Sequence, residues 1–340
     1  MIKINYENHL KDRNFNIEDE YKKIFTEKFN IKYERKIRNE FLNTTGKYQF
    51  TNEKTKSLEE IFDTFQVNKI SEFDSIYENR NLDDILILST KDIILSLQKN
   101  GKKSNLSQLK YFFNYTKFQK EITKFFTNNF NFTTCFYCNK DFINNFQKEK
   151  NELISTFQLD HFYDKGTYPY LALSFYNLIP SCPTCNSSKV KGSKDTFKND
   201  SQIGNFDNET CIIPNNENFN FHQKVKFKLF LSDSCKNLYI KDKEDITIPL
   251  RENYSDEYSK YIEVFKLNDR YEVNKDIVFE MIQKAELYPE SRLKELENLT
   301  GIPYQQIKKD IFNLIDENED LSKKPFSKLI VDISKELGLQ

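Results

Sequence analysis

Two pairs of cysteines have the spacing that metal binding requires. Cys135 and Cys138 are separated by two residues, and so are Cys182 and Cys185. Two residues between thiols let both sulfurs of one turn reach a single ion, and two such turns complete the tetrahedral thiolate site that structural zinc prefers. The sequence therefore predicts one structural Zn²⁺ bound by all four thiols. Because four thiolates leave no position open for water, this ion would support the fold rather than the chemistry.

Four independent buried thiols, or two redox-active pairs, are the alternative interpretation. Buried thiols need no fixed spacing, and redox pairs usually accompany a βαβ unit, so metal binding is favoured. The 43 residues between the pairs (139–181) exceed the roughly 15–20 residues of a typical zinc ribbon, so a further functional segment lies between them. Cys211 and Cys235 have no paired spacing and are interpreted as small buried hydrophobic residues.

The inserted segment contains the adjacent residues Asp160 and His161. A carboxylate supplies the hard oxygen ligands that Mg²⁺ prefers, and a histidine can act as a general base near neutral pH. Neighbouring positions on a strand point to opposite faces, so a bulge or a turn would be needed to bring both side chains to one site. A histidine in a Phe-rich stretch is, taken alone, more often a packed core residue.

The residues that follow this pair favour a catalytic role. Asn177 comes sixteen positions after His161, and Asn186 directly follows the second cysteine pair, in the run LDHFYDKGTYPYLALSFYNLIPSCPTCNSSK. The order of a CxxC pair, Asp-His, Asn-Leu-Ile-Pro and a second CxxC followed by Asn resembles the HNH endonuclease family, in the subset with zinc-binding cysteine pairs. The resemblance covers residues 135–189, about one sixth of the chain.

The resemblance implies a ββα-metal module, in which two strands and a helix surround one divalent cation. His161 matches the general base that activates water, and Asp160 matches the neighbouring metal ligand. Asn177 matches the asparagine that steadies the loop between the strands. Asn186 stands where many members have a last histidine, which makes this the HNN variant, with Asp160 and Asn186 as ligands of Mg²⁺ or Mn²⁺.

Two lysines are candidates for contacts with phosphate. Lys189 is expected one turn beyond Asn186 on the helix of the module, although a solvent-facing lysine is an equal alternative, and Lys165 lies in the loop after His161. Residues 189–198 contain four lysines against one aspartate. The whole chain has 51 basic and 52 acidic residues, so its overall charge does not indicate an avid, autonomous DNA binder.

These assignments together predict a metal-dependent endonuclease that acts on DNA. Phosphodiester hydrolysis needs a deprotonated water and a cation that stabilises charge on the phosphorane and the leaving oxygen. His161 would supply the first, and the ion held by Asp160 and Asn186 the second. An RNA nuclease remains open, because nothing in the sequence discriminates the sugar. A zinc-stabilised module that binds nucleic acid or a partner through an inactive nuclease site also remains open.

The biological setting rests on a looser resemblance. The motif with its helical flanks resembles the HNH subunit of Septu-type anti-phage defence systems, in which such a subunit works beside a separate ATPase. This chain lacks a GxxxxGK phosphate-binding loop, so any ATP dependence would come from that partner. A homo-oligomer is also open. The N-terminal residues lack a signal-peptide pattern and no apolar run is long enough to cross a membrane, so we expect a cytoplasmic protein, where thiols stay reduced.

The expected fold class is α+β and mostly helical. Hydrophobic residues make up 38% of the chain, below the globular average, but 31 Phe and 19 Tyr can still build a core. We expect a helical N-terminal region (1–130), a central HNH module stabilised by zinc (131–200), and a small β element followed by a helical region (201–340).

Residue periodicity predicts the individual elements. Helical spacing of apolar residues predicts helices within 21–29, 58–65, 93–97, 107–126, 258–265 and 293–299, and a docked C-terminal helix at 325–339. Asp92 is interpreted as an N-cap and Gly101 as the end of the same helix. Leu293, Leu296 and Leu299 are expected to share one face of their helix. Alternation at 225–229 and 245–248 predicts a small antiparallel sheet or hairpin.

Overall fold

A computed structural model describes most of the chain. The described residues are 1–25, 85–100, 110, 113–148, 152–197, 211–233, 235, 240–316 and 318–340. They form helices together with small antiparallel sheets, which confirms the α+β class. The predicted helix at 58–65, the end of the one at 21–29 and the expected helix end at Gly101 lie outside the described residues.

The described residues in the first part of the chain form helices. In order they are the 3-10 helix η1 (Tyr6–His9), a helical segment at 17–25, α1 (Thr90–Asn100) and α2 (Tyr115–Asn129). The expected N-cap Asp92 is wrong, because Asp92 lies within α1 and the Ser89 hydroxyl accepts its backbone N–H at 3.1 Å. Asp92 accepts the Ser89 hydroxyl in return at 2.7 Å, so the two side chains bond to each other at the start of the helix. Of the helix expected at 107–126, α2 forms the part from Tyr115, where the Asn114 side chain caps it, and most of 107–112 lies outside the described residues.

The central part contains two antiparallel hairpins. Its elements are β1 (Asn145–Lys148), β2 (Glu152–Ser155), β3 (Gln158–His161), the 3-10 helices η2 (Pro169–Leu171) and η3 (Phe175–Asn177), β4 (Leu178–Ser181) and the short helix α3 (Pro183–Asn186). Strand β1 pairs with β2, and β3 pairs with β4. The expectation that Lys189 lies on the same helix as Asn186 is wrong, because α3 ends at Asn186 and Ser187 has an extended backbone.

The last part contains one long hairpin and a set of helices. The elements are α4 (Phe221–Lys224), β5 (Val225–Phe227), β6 (Phe230–Leu231), the 3-10 helix η4 (Lys243–Asp245), β7 (Ile246–Thr247), β8 (Leu250–Glu252), α5 (Ser259–Val264), α6 (Leu267–Glu272), α7 (Asp276–Leu287), α8 (Glu290–Thr300), α9 (Tyr304–Phe312), the 3-10 helix η5 (Leu321–Lys323) and α10 (Ser327–Glu336). Strand β5 pairs with β8 and β6 with β7 in one continuous register, which confirms the predicted hairpin. The predicted C-terminal helix is likewise confirmed by α10.

Two expectations need correction, one about the shared face of Leu293 and Leu299 and one about the burial of Cys235. Leu299 on α8 is 74% exposed, whereas Leu293 is buried. Each three-residue step falls about 60° short of a full turn on a helix of 3.6 residues per turn, so two steps carry Leu299 away from the core. Cys211 is buried as expected, but Cys235 is only partly buried.

One hydrophobic core joins all three parts of the chain. The aromatic ring of Tyr6, near the N-terminus, packs 4.8 Å from that of Phe175, which precedes β4. The Tyr6 hydroxyl also donates to the carbonyl of Leu178, the first residue of β4, at 2.8 Å. The N-terminal segment therefore fixes the strand that pairs with Asp160 and His161.

The C-terminal helix is held by a residue of the first cysteine turn. Asn139 has a positive φ of 53° and directly follows Cys138. Its side-chain oxygen accepts from the Ser327 hydroxyl and from the Lys328 backbone N–H, each at 3.0 Å. Its side-chain amide donates to the Leu321 carbonyl at 3.0 Å. Since the N-cap residue of α10 makes no side-chain capping bond, Asn139 caps this helix from a distant part of the chain.

Substitution Asn139→Ala should destabilise the protein by about 2–4 kcal/mol, because buried backbone and hydroxyl groups lose their partners and alanine tolerates a positive φ less well. Chemical denaturation of zinc-loaded protein measures the change. The exposed Asn131 provides the matched control, since Asn131→Ala should stay within about 0.5 kcal/mol of the wild type. Equal denaturation midpoints for the two variants would contradict the capping role.

Candidate metal centre and catalytic cluster

The four paired cysteines form one buried cluster, called here the four-cysteine cluster. The sulfur atoms of Cys135, Cys138, Cys182 and Cys185 all lie within 4.8 Å of one another. The sulfurs of Cys138 and Cys182 are 4.0 Å apart, close to the edge of about 3.8 Å expected for a tetrahedron with Zn–S bonds near 2.3 Å. The geometry and the soft donor set therefore fit a structural zinc ion.

Local backbone geometry holds the sulfurs in place. Cys182 is the N-cap of α3, and its sulfur accepts the backbone N–H of Cys185 at 3.4 Å. Pro183 occupies the first helical position, where its fixed φ favours the turn. The Cys182 N–H donates to the sulfur of Cys135 at 3.3 Å and so links the two turns. Such N–H···S bonds orient the sulfurs towards a common centre.

A distant arginine adds positive charge at the cluster. Arg270 on α6 donates to the sulfur of Cys185 at 3.0 Å and lies 3.4 Å from the Asp141 carboxylate. Burial and the neighbouring thiols raise the pKa of Cys185, so its thiolate form needs a cation nearby. A zinc ion with four thiolates would carry a net negative charge, which Arg270 partly neutralises.

Asp160 is tied to both cysteine turns. The Tyr137 hydroxyl, between the cysteines of the first pair, donates to one carboxylate oxygen of Asp160 at 2.7 Å. The Lys191 ammonium lies 3.1 and 3.0 Å from the two carboxylate oxygens. The Lys191 backbone N–H donates to the carbonyl of Cys185 at 3.2 Å, in the second turn. The position of this carboxylate therefore depends on the four-cysteine cluster.

His161 is a neutral imidazole with a defined tautomer. Its Nε2 lies 2.9 Å from the Ala172 carbonyl oxygen, and its ring meets the Tyr115 ring edge-on at 4.5 Å. A carbonyl oxygen only accepts, so Nε2 carries the proton and Nδ1 keeps the lone pair. The side chain is 7% exposed, and this burial, with the charge of Lys165, lowers the pKa of His161 to about 3. Nδ1 is therefore unprotonated throughout the neutral range, and so low a pKa makes it a weak base in this structure.

Asn177 closes the loop between β3 and β4. Its side-chain oxygen accepts the Tyr163 N–H at 2.9 Å, and its amide donates to the Tyr163 carbonyl at 3.0 Å. The same amide donates to the Leu171 carbonyl at 3.1 Å. One buried side chain thus bonds to three backbone groups of the loop that runs from His161 to β4. These hydrogen bonds hold the loop in place.

Asn186 lies on the same side of β3 as Asp160. Its amide donates to the Gln158 side chain at 2.9 Å, and Gln158 stands two residues before Asp160, on the same face of the strand. Carboxylate and amide oxygens are donors that Mg²⁺ accepts in general, but in this structure Asp160 contacts Lys191 and Tyr137, and Asn186 contacts Gln158. The Lys191 ammonium is the group that already contacts the carboxylate.

Asp160 and His161 keep the alternation of a regular strand. Asp160 pairs with Ile179 and His161 pairs with Leu178, without a bulge at either position. The bulge or turn that would bring both side chains to one face is therefore not formed. Their side chains contact different groups, Tyr137 and Lys191 on one face and Ala172 and Tyr115 on the other.

The two lysines assigned to phosphate are both exposed. Lys189 lies in the turn after α3. The Lys165 ammonium lies 4.8 Å from the centre of the Tyr115 ring, which also contacts His161. Burial of part of its side chain lowers the pKa of Lys165. Lys165 is therefore near the histidine, whereas the contacts of Lys189 do not connect it to either residue of the pair.

Sequence reasoning missed four residues that contact the cluster or its neighbours. They are Tyr137, Gln158, Lys191 and Arg270. Tyr137 could have been noticed from its place between two cysteines. Lys191 is one of several lysines in a basic run, and Arg270 lies 85 residues after Cys185, so neither has a local signal.

Comparisons with protein-family models, with curated proteins and with solved structures find no match to this chain. Among the helices of the described residues, none is long and apolar enough to span a bilayer.

Zinc-loaded wild type should contain about one zinc ion per chain, because four thiolates complete one tetrahedral site. Cys182→Ser should lose this zinc and melt at a markedly lower temperature, since metal binding and folding are coupled. Elemental analysis and thermal melting measure both effects. Cys235→Ser, outside the cluster, should keep the zinc. A Cys182→Ser protein that retains a full equivalent of zinc would contradict the proposed ligand set.

Proposed function

We propose that the chain is a metal-dependent endonuclease that hydrolyses phosphodiester bonds in DNA. The observation that carries the proposal is the environment of His161. Its Nε2–H is held by the Ala172 carbonyl, so that Nδ1 is the free basic atom. A neutral histidine whose ring is oriented by a carbonyl can accept the proton of an attacking water.

The surrounding elements support the same proposal. Strands β3 and β4 are antiparallel, α3 follows β4 after a single residue, and Asn177 fixes the intervening loop. Two strands and a helix in this order are what the resemblance to HNH endonucleases implies. The four-cysteine cluster includes the N-cap residue Cys182 and Cys185 of α3 and is a candidate structural zinc site.

Each residue has a stated part in the proposed chemistry. His161 Nδ1 takes a proton from the attacking water, and the Ala172 carbonyl keeps the ring oriented during this transfer. Asp160 and Asn186 are the proposed ligands of Mg²⁺ or Mn²⁺, which would stabilise negative charge on the phosphorane and the leaving oxygen. Lys165, exposed and close to His161, is the better placed of the two lysines for a phosphate contact.

A binding module with an inactive nuclease site is the second candidate. The observation in its favour is the pairing of Asp160 with Lys191, which neutralises the proposed metal ligand inside the protein. In that case the central unit would recognise nucleic acid or a partner without cleaving it. Cleavage of RNA in place of DNA is a third candidate that the same experiments address.

We extend the proposal to a setting in anti-phage defence, with this chain as the nuclease and a separate ATPase as its partner. The support is the sequence resemblance to the HNH subunit of Septu-type systems. The helices outside the central unit would then provide surfaces for such a partner or for a second copy of the chain. Co-purification with the products of neighbouring genes tests this extension.

His161→Ala should lower the rate of plasmid nicking by about 100-fold or more in Mg²⁺ or Mn²⁺, because the general base is lost. Nicking assays on zinc-loaded protein measure the rate, with matched single-stranded and double-stranded DNA and RNA as substrates. His222→Gln is the control, since His222 packs near Lys328 on α10, away from β3.

Three results would count against the proposal in different ways. Unchanged nicking by His161→Ala would exclude this histidine as the base. Failure of the wild type to cut any substrate, with the ATPase partner present or absent, would favour the binding module. Cleavage restricted to RNA would replace the substrate and leave the reaction type intact.

A further inference from the structure

The Lys191 ammonium occupies the place beside Asp160 that a bound cation would take. Its nitrogen lies within 3.1 Å of both carboxylate oxygens, and the two side chains are 0% and 3% exposed. The same nitrogen donates to the His161 carbonyl at 2.7 Å. The carboxylate is therefore already neutralised by a positive charge that belongs to the chain.

A second positive charge does not fit at the same carboxylate. A divalent cation bound to the Asp160 oxygens would lie a few ångströms from the Lys191 nitrogen, and like charges at that separation repel strongly where water is excluded. The Tyr137 hydroxyl already occupies another lone pair of the carboxylate. The ion and the ammonium therefore exclude each other.

We propose that Lys191 and a divalent cation compete for Asp160, so that the chain holds its own metal site closed until the Lys191 side chain withdraws. The inference rests on the proposed function, since Asp160 is the metal ligand only in that proposal. It adds a control step: occupation of the site depends on displacement of an internal ammonium as well as on the concentration of the metal.

Displacement requires the Lys191 side chain, which is 0% exposed, to leave its buried position. The residue lies in the turn after α3, next to the exposed Ser193 and Lys194. The turn backbone is fixed, because the Lys191 N–H is bonded to the Cys185 carbonyl. Gly192 has a φ of +50°, and a Cβ there would approach the Ser188 Cα to 2.9 Å. The proposal therefore requires the flexible four-carbon stem of Lys191 to rotate until the ammonium reaches water, where it is strongly hydrated.

Calorimetric titration of zinc-loaded protein with Mn²⁺ tests the competition. Lys191→Met removes the charge and keeps the length, so it should bind Mn²⁺ at least about tenfold more tightly than the wild type. Lys194→Met changes an exposed lysine of the same turn and should bind like the wild type. Asp160→Asn, introduced into the Lys191→Met protein, should abolish the gain and so assign it to this carboxylate.

A second measurement uses the wild-type protein and does not depend on the folding of a variant. An amine-acylating reagent followed by peptide mass spectrometry reports how accessible each lysine is. Lys191 should be almost unreactive in zinc-loaded protein and should become reactive as Mn²⁺ saturates the site. Lys194 should react at the same rate throughout, which makes it the internal standard.

The outcomes separate this inference from the proposed function. Equal Mn²⁺ affinity of wild type and Lys191→Met, no Mn²⁺ binding by either, or an unreactive Lys191 in saturated protein would overturn the competition, even if the wild type cuts DNA. Tighter binding by Lys191→Met together with exposure of Lys191 would support the competition, even if no substrate is cut. Whether the protein cuts a nucleic-acid substrate is decided by the nicking assays alone.

Discussion

Two turns that are 43 residues apart in sequence meet at the four-cysteine cluster, and the position of Asp160 depends on that meeting. Tyr137 reaches the carboxylate from within the first turn, and Lys191 reaches it from a backbone anchored to the second. A cation bound by the thiols would offset the cost of closing so long a loop and of burying ionised sulfur. The cluster is thus coupled to the candidate catalytic residues through two hydrogen-bonded side chains.

Two buried asparagines extend this organisation into the rest of the fold. Asn177 bonds to backbone groups of Tyr163 and Leu171 in the loop between β3 and β4. Asn139 does the same at the start of α10 and ties the C-terminal helix to the first cysteine turn. Because buried backbone groups without partners are costly, both side chains determine how their segments lie. The central unit is therefore packed into the whole molecule and does not stand apart from its helical neighbours.

The parts of this arrangement that could be predicted are those with a local signal. The spacing of Cys135 and Cys138 indicated a metal site, and alternation at 225–229 indicated the hairpin. The burial of Lys191 could not be predicted, because it follows from the end of α3 at Asn186, and a longer helix had been expected. That early end leaves Lys189 exposed and directs Lys191, the next lysine in the sequence, to Asp160. Arg270 was missed for a related reason, since only tertiary packing brings α6 to the cluster.

The central claim is that the metal at the four-cysteine cluster positions β3 and β4. Hydrogen–deuterium exchange of zinc-loaded and chelator-treated protein, followed by peptide mass spectrometry, tests it most directly. The account predicts that removal of zinc greatly speeds amide exchange at residues 158–161 and 178–181. Exchange in α8 and α9, which pack against each other, should rise less. Unchanged protection of β3 and β4 after complete loss of zinc would contradict the claim.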